Sequence, residues 1–78
     1  MKRRSEQWER VESSCVHRLR YHQQRRTLDL EFPDGGRYEY LDVSPAEYRR
    51  LKHADSVGRY VNQQIKKHRF RRLDADNG

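Results

Sequence analysis

A chain of 78 residues, 38% of them charged and 32% hydrophobic, supports one domain with a small core, near the size below which a single core fails to sustain a fold. Its formal net charge of +6 at pH 7 favours an acidic partner such as a nucleic acid, an anionic protein or a membrane surface, and leaves the fold open. The single cysteine, Cys15, excludes an intramolecular disulfide and fits a reducing cytoplasm, while the basic start MKRRSEQWERVE lacks the apolar run of a signal peptide and no segment reaches the about 20 apolar residues of a membrane span.

Residues 1–12 are polar apart from Met1, Trp8 and Val11. Three apart, the last two would share one side of a short helix, so the segment reads as an arm that is flexible or partly helical. Regular structure is expected from Ser13 and Ser14 onward. In VHRLRYH, Leu19 and Tyr21 share one strand face, with Arg18, Arg20 and His22 on the other. Val16 is out of phase with them, which predicts a bulge or an irregular start. The polar run QQRR follows as a loop. TLDLEF alternates cleanly, with Leu28, Leu30 and Phe32 opposed to Asp29 and Glu31.

Pro33-Asp34-Gly35-Gly36 is a turn sequence in which proline presets φ and glycine accepts a positive φ. It should join two antiparallel strands as a hairpin. The third strand, RYEYLDV, sets Tyr38 and Tyr40 on one face and Arg37, Glu39 and Leu41 on the other.

Ser44-Pro45-Ala46-Glu47 is a capping box with proline at the first helical position. The helix it starts carries Tyr48 and Leu51 and ends near Ala54. Ser56 or Asp55 would cap a second helix, on which Val57, Tyr60, Val61 and Ile65 fall on one side. HRFRRL then offers Phe70 and Leu73 for docking, and residues 74–78 are a polar tail. The expected fold class is α+β: a three-stranded antiparallel meander followed by two helices packed on one sheet face, within a domain spanning residues 13–73.

In that order the residues resemble the KTSC domain, a family named from the C-terminus of some lysyl-tRNA synthetases. The resemblance covers roughly Ser13 to Leu73. It rests on Ser13 and Ser14, Tyr21, the Tyr38-Glu39-Tyr40 pattern, Asp42-Val43, and Ala54 with Ser56, Gly58 and Asn62. Ser44 stands where the family usually has proline, and Pro45 follows one place later. The resemblance implies a small bacterial or phage protein whose family has no assigned function, with RNA binding the working suggestion and no catalytic residues to carry over.

Two readings compete for Tyr38 and Tyr40. Exposed sheet aromatics stack nucleotide bases, yet pointing these outward would push Arg37 and Glu39 beneath the helices, at several kcal/mol each unless paired. The inward phase avoids that cost and aligns both rings with Leu28, Leu30, Phe32, Leu19 and Tyr21. The opposite face then carries Arg18, Arg20, Arg37, Asp29, Glu31 and Glu39, where cross-strand ion pairs are the natural outcome. A face laced with acids makes a poor phosphate platform.

The unbalanced positive charge lies elsewhere. Lys66, Lys67, Arg69, Arg71 and Arg72 crowd the end of the second helix and the segment beyond it, denser than a helix terminus needs. These five, with Arg59, are the candidate nucleic-acid-binding residues. Ser56, Gly58 and Asn62 could serve an anion at the second helix start; a serine cap and a packing glycine are the favoured account of them. Catalytic and metal-ligating residues are not expected: His17, His22, His53 and His68 lack ligand spacing, and although Cys15 and His17 would share a strand face, nothing supplies an orienting carboxylate or oxyanion hole. The expectation is a non-catalytic, cofactor-free module binding RNA, transfer RNA among the candidates, or another nucleic acid. The alternative is a protein-interaction domain docking an acidic partner or pairing through a sheet edge.

Overall fold

The computed structural model describes residues 7–11 and 13–73. The basic run Lys2, Arg3 and Arg4, most of the expected arm and the polar tail lie outside the described residues. The elements are β1 (Glu9–Arg10), β2 (Arg18–His22), β3 (Thr27–Glu31), β4 (Arg37–Tyr40), α1 (Pro45–Lys52), α2 (Val57–Gln63), a 3-10 turn (Ile65–Lys67) and β5 (Phe70–Arg72). The sheet is antiparallel and runs β1-β2-β3-β4-β5.

The fold class is α+β with an antiparallel sheet and two helices, but the sheet has five strands where a three-stranded meander was expected. Both additions are edges too short to announce themselves. β1 contributes two residues, Glu9 opposite Leu19 and Arg10 opposite Arg18. This also corrects the arm: the residues before Ser13 include a strand rather than a helix. Trp8 and Val11, an odd number of positions apart, part company. Val11 packs against the core, whereas Trp8 lies over Arg18 and Arg20 on the other side. β5 pairs with β4 through Tyr40–Phe70, Glu39–Arg71 and Tyr38–Arg72, and its ends are tied by Leu41 N–H to Arg69 O at 2.8 Å and Leu73 N–H to Arg37 O at 2.9 Å.

Strand phases follow the alternation of the sequence. Leu19 faces Leu30, Tyr21 faces Leu28, Leu30 faces Tyr38 and Leu28 faces Tyr40. The helices cover this face. The core comprises Val16, Leu19, Leu28, Leu30, Tyr40, Val43, Leu51, Val61 and Ile65, each at most 4% exposed. Val16 reaches it from the irregular segment before β2, which removes its phase conflict. Cys15 and His17 lie in that same segment and do not share a strand face: Cys15 packs against Gly58, and His17 Nδ1 sits 3.3 Å from Glu31 on the opposite side.

The turns behave as their residues dictate. Gly35 takes φ +95°, and its N–H donates to Phe32 O at 2.8 Å. Asp42, at φ 61°, turns the chain out of β4, so this strand ends at Tyr40 rather than Val43. Val43 is then held at both ends: its N–H donates to Arg26 O and its carbonyl accepts from Tyr21 Oη at 2.7 Å. Ser44 Oγ accepts from Glu47 N–H at 3.1 Å and starts α1; Ser56 Oγ accepts from Arg59 N–H at 3.2 Å and starts α2.

Candidate functional site

Two surfaces carry chemistry, one on each face of the sheet. On the face away from the helices, β3 and β4 place Asp29, Glu31 and Glu39 at 2%, 6% and 3% exposure. Isolated carboxylates so deep would cost several kcal/mol each. Every one is paired. Arg20 Nη2 and His22 Nε2 lie 2.9 and 2.8 Å from Asp29. Arg18 Nε donates to Glu31 at 2.6 Å and Arg37 Nε at 2.9 Å. Arg71 Nε donates to Glu39 at 2.7 Å, with Arg25 at 3.6 Å. The hydrogen bond from Arg18 outweighs burial and, with Arg37, holds the Glu31 carboxyl down at about 2. Burial pushes Glu39 up, but the bond and charge of Arg71 bring it below the ordinary carboxylate range.

The expected cross-strand pairs are therefore present, with a vertical order that the sequence does not contain. The acids are buried, while the arginine side chains above them are 28–69% exposed. This face shows solvent guanidinium groups rather than carboxylates. Those groups are nonetheless committed, because each one removed takes a partner from a buried charge.

The second surface lies at the β4–β5 end of the helix-covered face. Tyr38 and Tyr40 point toward the helices, as their phase requires. Tyr40 is buried, and burial pushes its hydroxyl pKa up; Tyr38 is only half-buried. Phe70 stands beside them at 55% exposure, the one exposed large hydrophobic side chain among the described residues. It does not dock as the sequence suggested. Strand β5 holds it next to Tyr40 but at the sheet margin, where nothing described covers it.

Phe32, Pro33, Asp34, Tyr38, Tyr40, Lys66 and Phe70 line a groove of about 640 Å³. Its rings meet edge to face: Phe32 with Tyr38 at 5.7 Å and 68°, Tyr38 with Phe70 at 5.7 Å and 66°. Cations lie at the same rings. Lys66 Nζ is 5.4 Å from the Phe32 centroid, and the Arg72 guanidinium carbon is 5.5 Å from that of Tyr38, within cation–π range.

The six candidate residues divide between these places. Lys66 lines the groove and Arg72 lies over its Tyr38; Lys67 is exposed in the adjoining 3-10 turn. Arg71 points to the other sheet face and belongs to the carboxylate lattice. Arg69 is exposed just before β5. Arg59 is exposed on the first turn of α2, at the opposite end of that helix from Lys66. The sequence reading missed Phe70 and Phe32 as surface rings, and set aside the outward reading it weighed for Tyr38. The three residues Phe70–Arg72 are too few for an alternation that would have revealed the strand.

Ser56, Gly58 and the Ser13–Cys15 segment meet at a third place. A Cβ on Gly58 would fall 2.8 Å from Cys15 Cβ and 3.1 Å from Ser13 Oγ. Gly58 thus permits close approach of α2 to the chain before β2. His17 and His22 lie 3.3 and 2.8 Å from Glu31 and Asp29, and His68 joins Leu41 O to Glu47 Oε1, at 2.9 and 2.8 Å. Among the described residues no three His, Cys, Asp or Glu side chains converge as a metal site would need, and no helix is long and apolar enough to cross a membrane.

Comparison with known proteins finds the same resemblance throughout. The profile of the KTSC domain matches residues 12–70. An uncharacterised protein of Stutzerimonas stutzeri is 36% identical over 61 residues, covering 78% of this chain and 86% of its own. A protein of Tsukamurella paurometabola is 41% identical over 61 residues, 78% of this chain and 90% of its own. The lysine–tRNA ligase of Nostoc punctiforme is 38% identical over 63 residues, 80% of this chain but 11% of the ligase. The crystal structure of a KTSC domain protein from Yersinia pestis superposes with a TM-score of 0.81 at 31% identity, covering 86% of this chain and 96% of that one.

Proposed function

The chain belongs to the KTSC domain family, and from that premise we propose that it is a small non-catalytic module that binds RNA or another nucleic acid through phosphate contacts from its basic C-terminal segment. One observation carries this reading. Lys66 and Arg72 stand at the rings of an open aromatic groove, with Lys67 exposed beside them, so exposed positive charge coincides with exposed ring surface. Polyanion binding needs the first, and base contacts need the second. The occurrence of a related segment within a lysine–tRNA ligase makes transfer RNA a natural ligand to test. The exposed free thiol of Cys15 suits action in a reducing cytoplasm.

The arginines of the opposite face make a poor control, since neutralising them strands Asp29, Glu31 or Glu39. The appropriate comparison sets Lys66, Lys67 and Arg72 against Arg49, Arg50 and Arg59, each group changed to glutamine. Both sets remove equal charge from outside the carboxylate lattice. RNA affinity, followed by fluorescence anisotropy across a salt series, should fall in the first variant and hold in the second. Each lost contact should flatten the slope of log affinity against log salt by about 0.7 for single strands. Equal losses in both variants would reduce the effect to generic attraction and favour an acidic protein partner instead.

A further inference from the structure

We propose that the groove between β4, β5 and the 3-10 turn takes unpaired nucleobases, so that the ligand is a single strand and Phe70 is its stacking platform. This rests on the nucleic-acid reading above and adds to it the form of the ligand and the residue that recognises it.

The first ground is the state of the rings. Where aromatic side chains here serve packing, they close on each other: Tyr21 and Tyr48 stack at 4.3 Å and 9° between planes. The groove rings are arranged differently. In an edge-to-face pair, the ring presenting its edge keeps both of its own faces out of that contact. Phe32–Tyr38 and Tyr38–Phe70 are such pairs, and Phe70 is tilted 39° from Tyr40 at 5.6 Å. None of these pairs is stacked face on face, and Phe70, oriented by Tyr38 and Tyr40, stays 55% exposed.

The second ground is position. An exposed phenylalanine on a mobile segment would be a poor platform, since stacking would have to offset the cost of ordering it. Phe70 instead sits within β5, opposite Tyr40 in the register, and β5 is tied at both ends to β4 by backbone hydrogen bonds. Its backbone is already fixed. The groove, at about 640 Å³, lies within the range of small-ligand sites, about 300–1,000 Å³.

Charge selects the occupant. A proline-rich peptide also docks in aromatic grooves, but it gains nothing from Lys66, Lys67 and Arg72. A single-stranded polynucleotide uses both features, bases on the rings and phosphates on the rim. Among the described residues Asp34 is the only acidic one lining the groove, and its Oδ1 accepts the Gly36 N–H at 2.9 Å. A duplex can use the rim alone, because its base faces are already stacked. Base stacking is shared by RNA and DNA, so the groove by itself does not distinguish the sugar.

The test is anisotropy titration of the full chain with a labelled single-stranded RNA ten-mer, the DNA of the same sequence, the corresponding duplexes, and polyphosphate as competitor. Wild type should bind the single strands more tightly than the duplexes. Phe70→Ala should weaken single-strand binding roughly tenfold, the order of one lost stacking contact, with no change in the salt slope or in duplex binding. Phe70→Trp should restore it. Relative affinity for the RNA and DNA strands then reports whether the sugar is read. Should Phe70→Ala fail to fold, ring chemical shifts of Tyr38 and Phe32 in the wild type decide, moving with single strand and not with duplex. Unchanged single-strand affinity in folded Phe70→Ala, or an equal loss for strand and duplex, would overturn the stacking site and leave phosphate binding standing. Absence of wild-type binding to every nucleic acid at low salt would overturn both.

Discussion

Arg71 Nε donates to Glu39 Oε1 at 2.7 Å across the β4–β5 register. In the sequence these residues are 32 positions apart, and Arg71 reads as one more charge in a basic tail. In the fold it is the principal partner of a carboxylate only 3% exposed. Its neighbour Arg72, one residue on, lies at the opposite sheet face over Tyr38. Two adjacent arginines therefore do different work.

Arg71→Gln is accordingly expected to cost stability rather than binding. Glu39 would keep only the more distant Arg25, at 3.6 Å. Leaving a buried charged acceptor short of a partner should cost about 1–2 kcal/mol. Lys66→Gln, which strands nothing, should leave stability within about 0.5 kcal/mol of wild type. Urea midpoints of the two variants make the comparison. Equal midpoints would mean that the Arg71–Glu39 pair adds nothing to the fold.

Acid should weaken the fold through Glu31. Its carboxyl titrates at about 2 in the folded chain, against an ordinary 4.5, so the folded state holds its proton less readily than the unfolded state. A depressed pKa contributes stability that is fully present above about 4.5 and lost as pH falls toward about 2. Glu31→Gln should be less stable than wild type at pH 7, with the gap narrowing through that window and closing near its lower end. Thermal midpoints measured at several pH values would show it. A gap that stays constant with pH would mean the charge on Glu31 is not what Arg18 and Arg37 stabilise.

Gly58→Ala pits two effects against each other. In a free helix, alanine is better than glycine by about 1 kcal/mol. Here the new methyl would lie 2.8 Å from Cys15 Cβ and 2.9 Å from its Sγ, and Cβ is fixed to the backbone, so it cannot swing aside. Overpacking of this kind costs about 1–3 kcal/mol. A net loss of stability is expected, read as a lower urea midpoint. A gain would show that α2 does not press on the Ser13–Cys15 segment.

The sequence by itself determined the strand phases, the hairpin turn and both helix starts, because each rests on local rules. Alternation in TLDLEF fixes which side chains share a face, Pro33-Asp34-Gly35-Gly36 fixes the turn, and Ser44 and Ser56 satisfy the first helical N–H groups wherever the helices dock. The inward phase of Tyr38 and Tyr40 followed from the cost of burying Arg37 and Glu39 under helices. Tertiary structure alone decided the rest. β1 and β5 are two and three residues long, too short to carry a periodic signal, and they become strands only because a neighbouring strand offers unpaired backbone groups. Their placement then sorted the basic C-terminal residues: Arg71 to a buried acid, Lys66 and Arg72 to the rings. It also left Phe70 uncovered, since how far a helix reaches across a sheet depends on where the helix docks, and no local pattern encodes that.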